Sequence, residues 1–246
     1  MIRMKWSILL GLGLLSSSML IYSLHYLVFG DLEFLLLGGF ASLAFVPIQG
    51  MVVVMIIAEL LVVMGRRTRM QKMNMVIGAF FSELGTRLLH HFYVGDPNGH
   101  RLREVFETAG DLSGKQVQAI LHQVADYQYI SDLEAGDLME LQKLLVAERG
   151  FMVRLLENPN LLENERFTEL LWAVFHLTEE LDARDDLIRS PKSDLEHLNG
   201  DVTRAYRCIF VEWVHYMRHL HDNYTFLFSF AMRTNPLEQD RQVEVL

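Results

Sequence analysis

Two long uncharged segments near the N-terminus constrain the fold of this chain more than any other feature. The first covers residues 6–30 and the second covers residues 34–58, after which only Glu59 interrupts a further apolar stretch. Each is longer than the roughly 20 apolar residues that a helix needs to cross a bilayer. Because lipid offers the backbone no hydrogen-bond partners, such segments must be helical. The sequence predicts two transmembrane helices, at about residues 6–29 and 34–64.

The charges that flank these segments predict their orientation. Arg3 and Lys5 precede the first segment, and the connection at residues 30–33 carries only acidic charges. The second segment is followed by a basic group made of Arg66, Arg67, Arg69 and Lys72. Since basic residues collect on the cytoplasmic side of a membrane, we expect a tight hairpin with both termini in the cytoplasm. A cleaved signal peptide is the alternative for the first segment, but its apolar core is too long and no A-x-A-like site follows.

The remaining residues, 66–246, have the composition of one ordinary soluble domain. The chain has 246 residues, of which 51% are hydrophobic, and the apolar excess lies in residues 1–65. Its net charge of −9 would repel phosphate backbones, which disfavours nucleic acid as a partner. Cys208 is the only cysteine, so an internal disulfide is excluded. We expect this domain to lie on the cytoplasmic side of the inner (cytoplasmic) membrane.

Apolar residues at helical spacing dominate this domain. Residues 70–93 place one apolar stripe on a single face, made of Ile77, Phe80, Phe81, Leu84, Leu88 and Phe92. The turn-forming sequence GDPNG at 95–99 then predicts a break. No alternating strand pattern is evident. The predicted fold is therefore all-α: a transmembrane helical hairpin followed by a cytoplasmic bundle of about five to seven helices.

Residues 100–157 suggest a short helix, a second helix with Ser113 as its cap, and a longer third helix. This order is similar to a small helix-turn-helix or winged module. The acidic balance of the chain and the lack of a wing hairpin argue against nucleic-acid binding by these residues.

Two amphipathic helices near the C-terminus carry the most suggestive polar side chains. The stripe of the first contains Phe167, Leu170, Leu171, Val174, Phe175 and Leu181, and the stripe of the second contains Tyr206, Ile209, Phe210, Trp213, Met217, Leu220 and Tyr224. The opposite face of the first helix bears Glu165, Glu169, His176 and Glu180, and that of the second bears Cys208, Glu212, His215 and His219.

A metal site is one hypothesis for these faces. Glu212 and His215 form a Glu-x-x-His motif, and His219 lies four residues after His215, a spacing that lets two imidazoles reach one ion. If the two polar faces met, the set of iron or zinc ligands could be completed from Glu169, His176 and Glu180. The alternative is that these side chains simply solvate exposed helix faces, since a metal site in a bundle must face inward. No cofactor is otherwise indicated.

Other chemistry is less well supported. The sequence contains no nucleophile elbow, no phosphate-binding glycine loop and no H-E-x-x-H motif, so no catalytic residue is assigned. The aromatic, nearly uncharged residues 224–232 either complete the core or lie at a membrane or partner surface.

Three segments carry a resemblance to a known family: MNMVIGAFFSELGTRLL at 73–89, FTELLWAVFHLTEEL at 167–181 and YTFLFSFAMRTNPL at 224–237. They resemble an uncharacterised family of bacterial and archaeal proteins anchored by two membrane helices. The resemblance implies a prokaryotic origin and one domain over residues 73–237, and it brings no functional residues with it. This chain has NYTFLF at 223–228, where the family resemblance leads us to expect a proline-bearing stretch.

Together these features predict a non-enzymatic interaction or regulatory module that is tethered to the lipid bilayer. Its expected partners are a further membrane protein or a second copy of the chain. The alternative function is that of an iron- or zinc-binding helical bundle.

Overall fold

Helices make up all the regular structure in the described residues, which confirms the predicted all-α class. The structure is a computed structural model, and it describes residues 2–108, 112, 114–159, 161 and 164–238. Side chains within this set are described except for those of residues 2–11, 32, 35 and 66–69. The predicted cap Ser113 lies outside the described residues. The chain divides into two compact units, Met1–Gly65 and Arg66–Leu246.

The first unit consists of helix α1, Ile2–Phe29, and the first part of helix α2, Leu32–Phe80. Gly30 joins them with a φ of 64°, a conformation that costs a residue without a side chain little. Asp31 Oδ1 accepts a hydrogen bond from the backbone N–H of Phe34 at 3.0 Å, which satisfies one free donor at the start of α2. By length and composition, two helical stretches are apolar enough to cross a membrane, Leu12–Phe29 and one within Leu36–Val94.

The second unit contains the end of α2 and seven further helices within the described residues. These are α3 Thr86–Val94, α4 His100–Thr108, α5 Gly114–Ala125, α6 Ala135–Leu156, α7 Glu165–Asp182, α8 Lys192–Asn223 and α9 Thr225–Arg233. A single π turn, Phe81–Gly85, separates α2 from α3, and a short 3₁₀ turn, Leu187–Arg189, precedes α8. The predicted break at residues 95–99 is confirmed as a turn.

The predicted apolar stripes form the core of this unit, except that Tyr224, at the end of the second C-terminal stripe, is 43% exposed. All six stripe residues between 70 and 93 are buried, although the π turn that shifts their register was not predicted. In α7 the stripe is also buried except for Phe175, which is partly buried. Local capping fixes where α7 begins, since Asn164 Oδ1 accepts from the backbone N–H of Phe167 at 3.2 Å.

Helix α8 is the central element of the unit, because α3, α5, α7 and α9 all pack against it. It begins directly after Pro191, well before Tyr206, the first residue of the predicted stripe. The prediction that its polar face lies away from the core is wrong for Glu212, whose side chain is buried. A helix that is packed on several sides has no single exposed face, and this places polar side chains between helices.

Candidate functional site: polar side chains between two antiparallel helices

Three pairs of polar side chains across the α7–α8 interface define its antiparallel register. His176 Nε2 lies 3.5 Å from Asp201 Oδ2, and one turn further along α7 Glu180 Oε2 lies 3.7 Å from His197 Nε2. Towards the start of α7, Arg166 Nε lies 3.4 Å from Glu212 Oε2. Residue numbers thus rise along α7 as those of the partner residues fall along α8.

This register does not bring the six predicted metal ligands together. His176 faces Asp201, and the distance along α8 from Asp201 to Glu212 is eleven residues, or about 16 Å at 1.5 Å per residue. His176 and Glu180 therefore lie at one level of the interface, and Glu212, His215 and His219 lie at another. Glu169 is exposed between the two levels. Burial raises the pKa of the Cys208 thiol, and the nearby Glu169 carboxylate adds to that shift.

At the first level, four side chains form what we call the histidine–carboxylate cluster: His176, Glu180, His197 and Asp201. One ligand-type atom from each of Glu180, His197 and Asp201 lies within 4.8 Å of the other two. His197 Nε2 lies 3.5 Å from Asp201 Oδ2, and His176 Nε2 reaches the same oxygen at 3.5 Å from the opposite helix. The two histidines are about half exposed, so solvent reaches the cluster.

Asp201 is the least solvated member of the cluster. Its side chain is 4% exposed, and Oδ2 is buried without a hydrogen-bond partner. The distances of 3.5 Å from Oδ2 to the two imidazole nitrogens are longer than ordinary hydrogen bonds. Arg204 NH1 lies 3.3 Å from the other oxygen, Oδ1, and it approaches from the solvent side. A buried carboxylate oxygen with no partner is costly unless something else compensates its charge.

Arg184 binds two acidic side chains at the edge of the cluster, Glu180 and Asp194. Arg184 NH1 lies 3.0 Å from Glu180 Oε2, and the hydrogen bond between them lowers the pKa of Glu180. The same guanidinium binds Asp194 through two nitrogens, at 2.7 and 2.8 Å. This bidentate pair lowers the pKa of Asp194 as well. Arg184 is therefore anchored mainly by Asp194, and its contact with Glu180 is a secondary one.

At the second level, Glu212, His215 and His219 line one small cavity of about 160 Å³. The buried Glu212 carboxylate is paired with Arg166, whose guanidinium is itself half exposed. Burial raises the pKa of Glu212, and the positive charge of Arg166 offsets part of that effect. His219 Nδ1 lies 3.2 Å from the side-chain amide nitrogens of both Asn74 and Asn223.

These contacts determine what the second level can do chemically. Amide nitrogens only donate, so His219 Nδ1 accepts and its proton lies on Nε2. Burial lowers the pKa of His215 to about 4, and the charges of Arg166 and Arg218 act in the same direction. Both histidines are thus neutral near pH 7, and Glu212 already has a cationic partner. The arrangement is that of a satisfied polar cluster within the interface.

Sequence reasoning found His176 and Glu180 but missed His197 and Asp201. The signal was present, because each helix carries a histidine followed four residues later by a carboxylate: His176 with Glu180 and His197 with Asp201. Residues at this spacing share one helix face. Two such pairs on antiparallel helices place each histidine opposite the carboxylate of the other pair.

Comparison with known proteins identifies relatives of the chain. Residues 2–61 match a family model described as MJ1433, N-terminal helical domain, and residues 69–233 match one described as Uncharacterized protein MJ1433, C-terminal helical domain. The Uncharacterized protein MJ1433 of Methanocaldococcus jannaschii is 38% identical over 234 residues, which cover 95% of this chain and 94% of that protein. No solved structure matches the chain.

The neutral state of His215 predicts a pH dependence of stability. With a pKa of about 4 in the folded chain and 6.5 when unfolded, His215 contributes stability above pH 6.5 that is lost progressively as the pH falls towards 4. The free energy of unfolding of the full-length protein in detergent, measured with urea, should fall by about 2 kcal/mol more between pH 7.5 and 4.5 than that of the His215→Gln variant. Titration of Glu212 cancels in this difference because both proteins contain it. Equal losses in the two proteins would mean that folding does not lower the pKa of His215.

Proposed function

The chain belongs to the MJ1433 family, and we propose that it is a membrane-anchored helical protein whose cytoplasmic domain self-associates and catalyses no reaction. The exposed aromatic surface of α9 supports self-association. The anchor is supported by a separate set of observations on the first unit.

Apolar exposure in the first unit supports a bilayer as its surroundings. The large apolar side chains between Leu12 and Met64 are almost all more than 45% exposed. Apolar surface of this extent in water is unfavourable by about 25 cal/mol for each Å², whereas lipid solvates it. Soluble monomers rarely expose a continuous apolar patch of more than a few hundred Å². We therefore propose two membrane-crossing helices, with the basic residues 66–72 on anionic headgroups of the cytoplasmic leaflet.

A labelling experiment tests this topology in intact cells. An Asp31→Cys substitution in a Cys208→Ser background places the single thiol in the connection between the helices. A membrane-impermeant maleimide should label it from outside, because that connection faces the exterior when both termini are cytoplasmic. The native Cys208 should be labelled only after the membrane is opened. Labelling of Cys208 in intact cells, with a matched denatured sample as the reference for full reaction, would contradict the cytoplasmic assignment.

Helix α9 presents aromatic side chains that the core does not cover. Phe226 is 70% exposed and Phe230 is 51% exposed, and they lie one turn apart on the same face. Tyr224 and Leu227 extend this exposed surface. The opposite face of α9 packs on the core through Phe228, which is partly buried, so α9 is docked while its outer face remains open.

A groove lies directly beside this aromatic face. It has a volume of about 370 Å³, and its apolar lining includes Phe81, Tyr216, Leu227 and Phe230. Phe81 and Tyr216, which both line the groove, stack with ring centroids 4.9 Å apart. The π turn that begins at Phe81 lies along its rim, and π turns in helices are frequent at functional sites. A groove next to an exposed phenylalanine suits a two-fold contact in which each copy fills the groove of the other.

Membrane anchoring favours a second copy as the occupant. Two anchored chains diffuse in the same plane, so their effective concentration far exceeds that of free domains. A small aromatic anchor in a pocket then suffices for association, since a few such residues carry most of the energy of an interface. Elsewhere on this unit the exposed large apolar residues, such as Trp172 and Ile188, lie on different elements from α9.

Cross-linking of full-length protein in lipid vesicles tests the proposal. A Ser229→Cys substitution on α9, in the Cys208→Ser background, should give a covalent dimer with a short thiol cross-linker. Adding Phe226→Ser and Phe230→Ser should reduce dimer formation at least about tenfold, because it removes two aromatic anchors. The matched control carries Trp172→Ser and Ile188→Ser, whose side chains are 57% and 69% exposed.

The control should cross-link as the parent does. Equal cross-linking of the Phe226/Phe230 variant and its parent would contradict self-association through α9. A fluorophore on the thiol at position 229 detects the other possible occupant, the bilayer. A blue shift that persists at protein-to-lipid ratios too low for pairing would place α9 in the membrane surface and overturn the proposal.

Metal binding at Glu212, His215 and His219 is less well supported as a function. Arg166 already pairs with the Glu212 carboxylate, and two amides occupy Nδ1 of His219. An ion would have to displace the arginine from Glu212, and it would have to displace both amides from Nδ1 of His219 or bind Nε2 in the other tautomer.

A further inference from the structure

We propose that the histidine–carboxylate cluster binds one divalent transition-metal ion, with His176, Glu180, His197 and Asp201 as its four ligands. The proposal concerns the α7–α8 interface, so it depends neither on the α9 contact nor on the membrane anchor.

The donor atoms of Glu180, His197 and Asp201 lie within 4.8 Å of one another, close to the spacing of a metal site, and a rotation of the half-exposed His176 side chain would complete the set. Nitrogen and oxygen ligands bind zinc at about 2.1 Å, so two ligand atoms of a tetrahedral site lie about 3.4 Å apart. Asp201 Oδ2 lies 3.5 Å from each imidazole Nε2, and His197 Nε2 lies 3.7 Å from Glu180 Oε2. These distances exceed those of good hydrogen bonds but leave room for one ion between the atoms.

The buried oxygen of Asp201 is an independent indication of a missing ligand. Its side chain is 96% buried, and Oδ2 has no hydrogen-bond partner although both imidazoles point towards it. A metal ion at this point would bond to Oδ2 and compensate its charge. Glu212, the other buried carboxylate of α8, has Arg166 as its partner. Arg204 lies 3.3 Å from Oδ1 of Asp201 and leaves Oδ2 without a hydrogen bond, so Oδ2 is the oxygen at which an ion would bind.

The arginines nearby can give way to an ion. Arg184 retains its two hydrogen bonds to Asp194 when its contact with Glu180 is lost. Arg204 is 63% exposed, so it can move into solvent without loss of buried contacts. The partial exposure of Glu180 and of both histidines provides a path by which an ion can enter.

The donor set indicates the class of ion. Two imidazoles select against magnesium and calcium, which prefer oxygen ligands, and favour zinc, iron or a similar ion. Two carboxylates neutralise a charge of +2. If all four side chains bind, a tetrahedral ion has no open position for water, as in structural zinc sites. The ion would then join α7 to α8 and stabilise their register.

Cobalt(II) provides a direct probe, because its visible spectrum reports tetrahedral nitrogen and oxygen coordination. Full-length protein in detergent, stripped with a chelator, should bind one Co²⁺ per chain with intense bands between about 500 and 650 nm, and zinc should displace it. His176→Gln together with His197→Gln should weaken binding at least about 100-fold. Asp201→Asn should also weaken it while leaving helicity by circular dichroism unchanged.

A matched control lies on α5, where His122 and Asp126 have the same four-residue spacing but are both highly exposed. His122→Gln should leave cobalt binding unchanged. His215→Gln with His219→Gln should likewise have no effect. Absence of stoichiometric cobalt binding by the parent would overturn the proposal. So would bands that persist in the His176/His197 variant, or bands that disappear only when His215 and His219 are replaced.

Discussion

The antiparallel packing of α7 against α8 is the interaction on which the rest of the second unit depends. Helix α8 packs against α3, α5, α7 and α9, so a shift of α8 along its axis would disturb every one of those contacts. Three polar pairs hold this register: Arg166 with Glu212, His176 with Asp201, and Glu180 with His197. The apolar stripes supply the burial, and the polar pairs favour one alignment over the others.

The two buried carboxylates of α8, Glu212 and Asp201, differ in how their negative charge is compensated. Glu212 accepts a hydrogen bond from Arg166 at 3.4 Å, and Nδ1 of the neighbouring His219 lies 3.2 Å from two side-chain amide nitrogens. Asp201 has two imidazoles at distances too long for hydrogen bonds and one oxygen without a partner. Burial of a charge is costly in both places. Arg166 donates a hydrogen bond to Glu212, whereas Arg204 lies close to Oδ1 of Asp201 and leaves Oδ2 without a partner.

Much of the fold could be predicted from the sequence because each helix has its own local signal. The stripe from Ile77 to Phe92 and the stripe of α7 gave the correct buried faces, since one amphipathic period is enough to define them. Glu212 was placed on the wrong face because α8 is packed on several sides, which a single-stripe pattern does not reveal. Each helix carries a histidine followed four residues later by a carboxylate, but neither pair alone identifies its partner. Asp201 is close to His176 only through the register of the two helices, which tertiary packing sets.

The fold of the second unit and the histidine–carboxylate cluster both depend on the α7–α8 register, and the native Cys208 allows that register to be measured. Three single variants, Glu165→Cys, Glu169→Cys and Trp172→Cys, place a second thiol at exposed positions about one turn apart on α7. In full-length protein treated with a short thiol cross-linker, peptide mass spectrometry should show the intramolecular link to Cys208 to be most abundant for Glu169→Cys. A more abundant link from position 165 or 172 would show that the helices are aligned one turn away, and the histidine–carboxylate cluster would not exist as described.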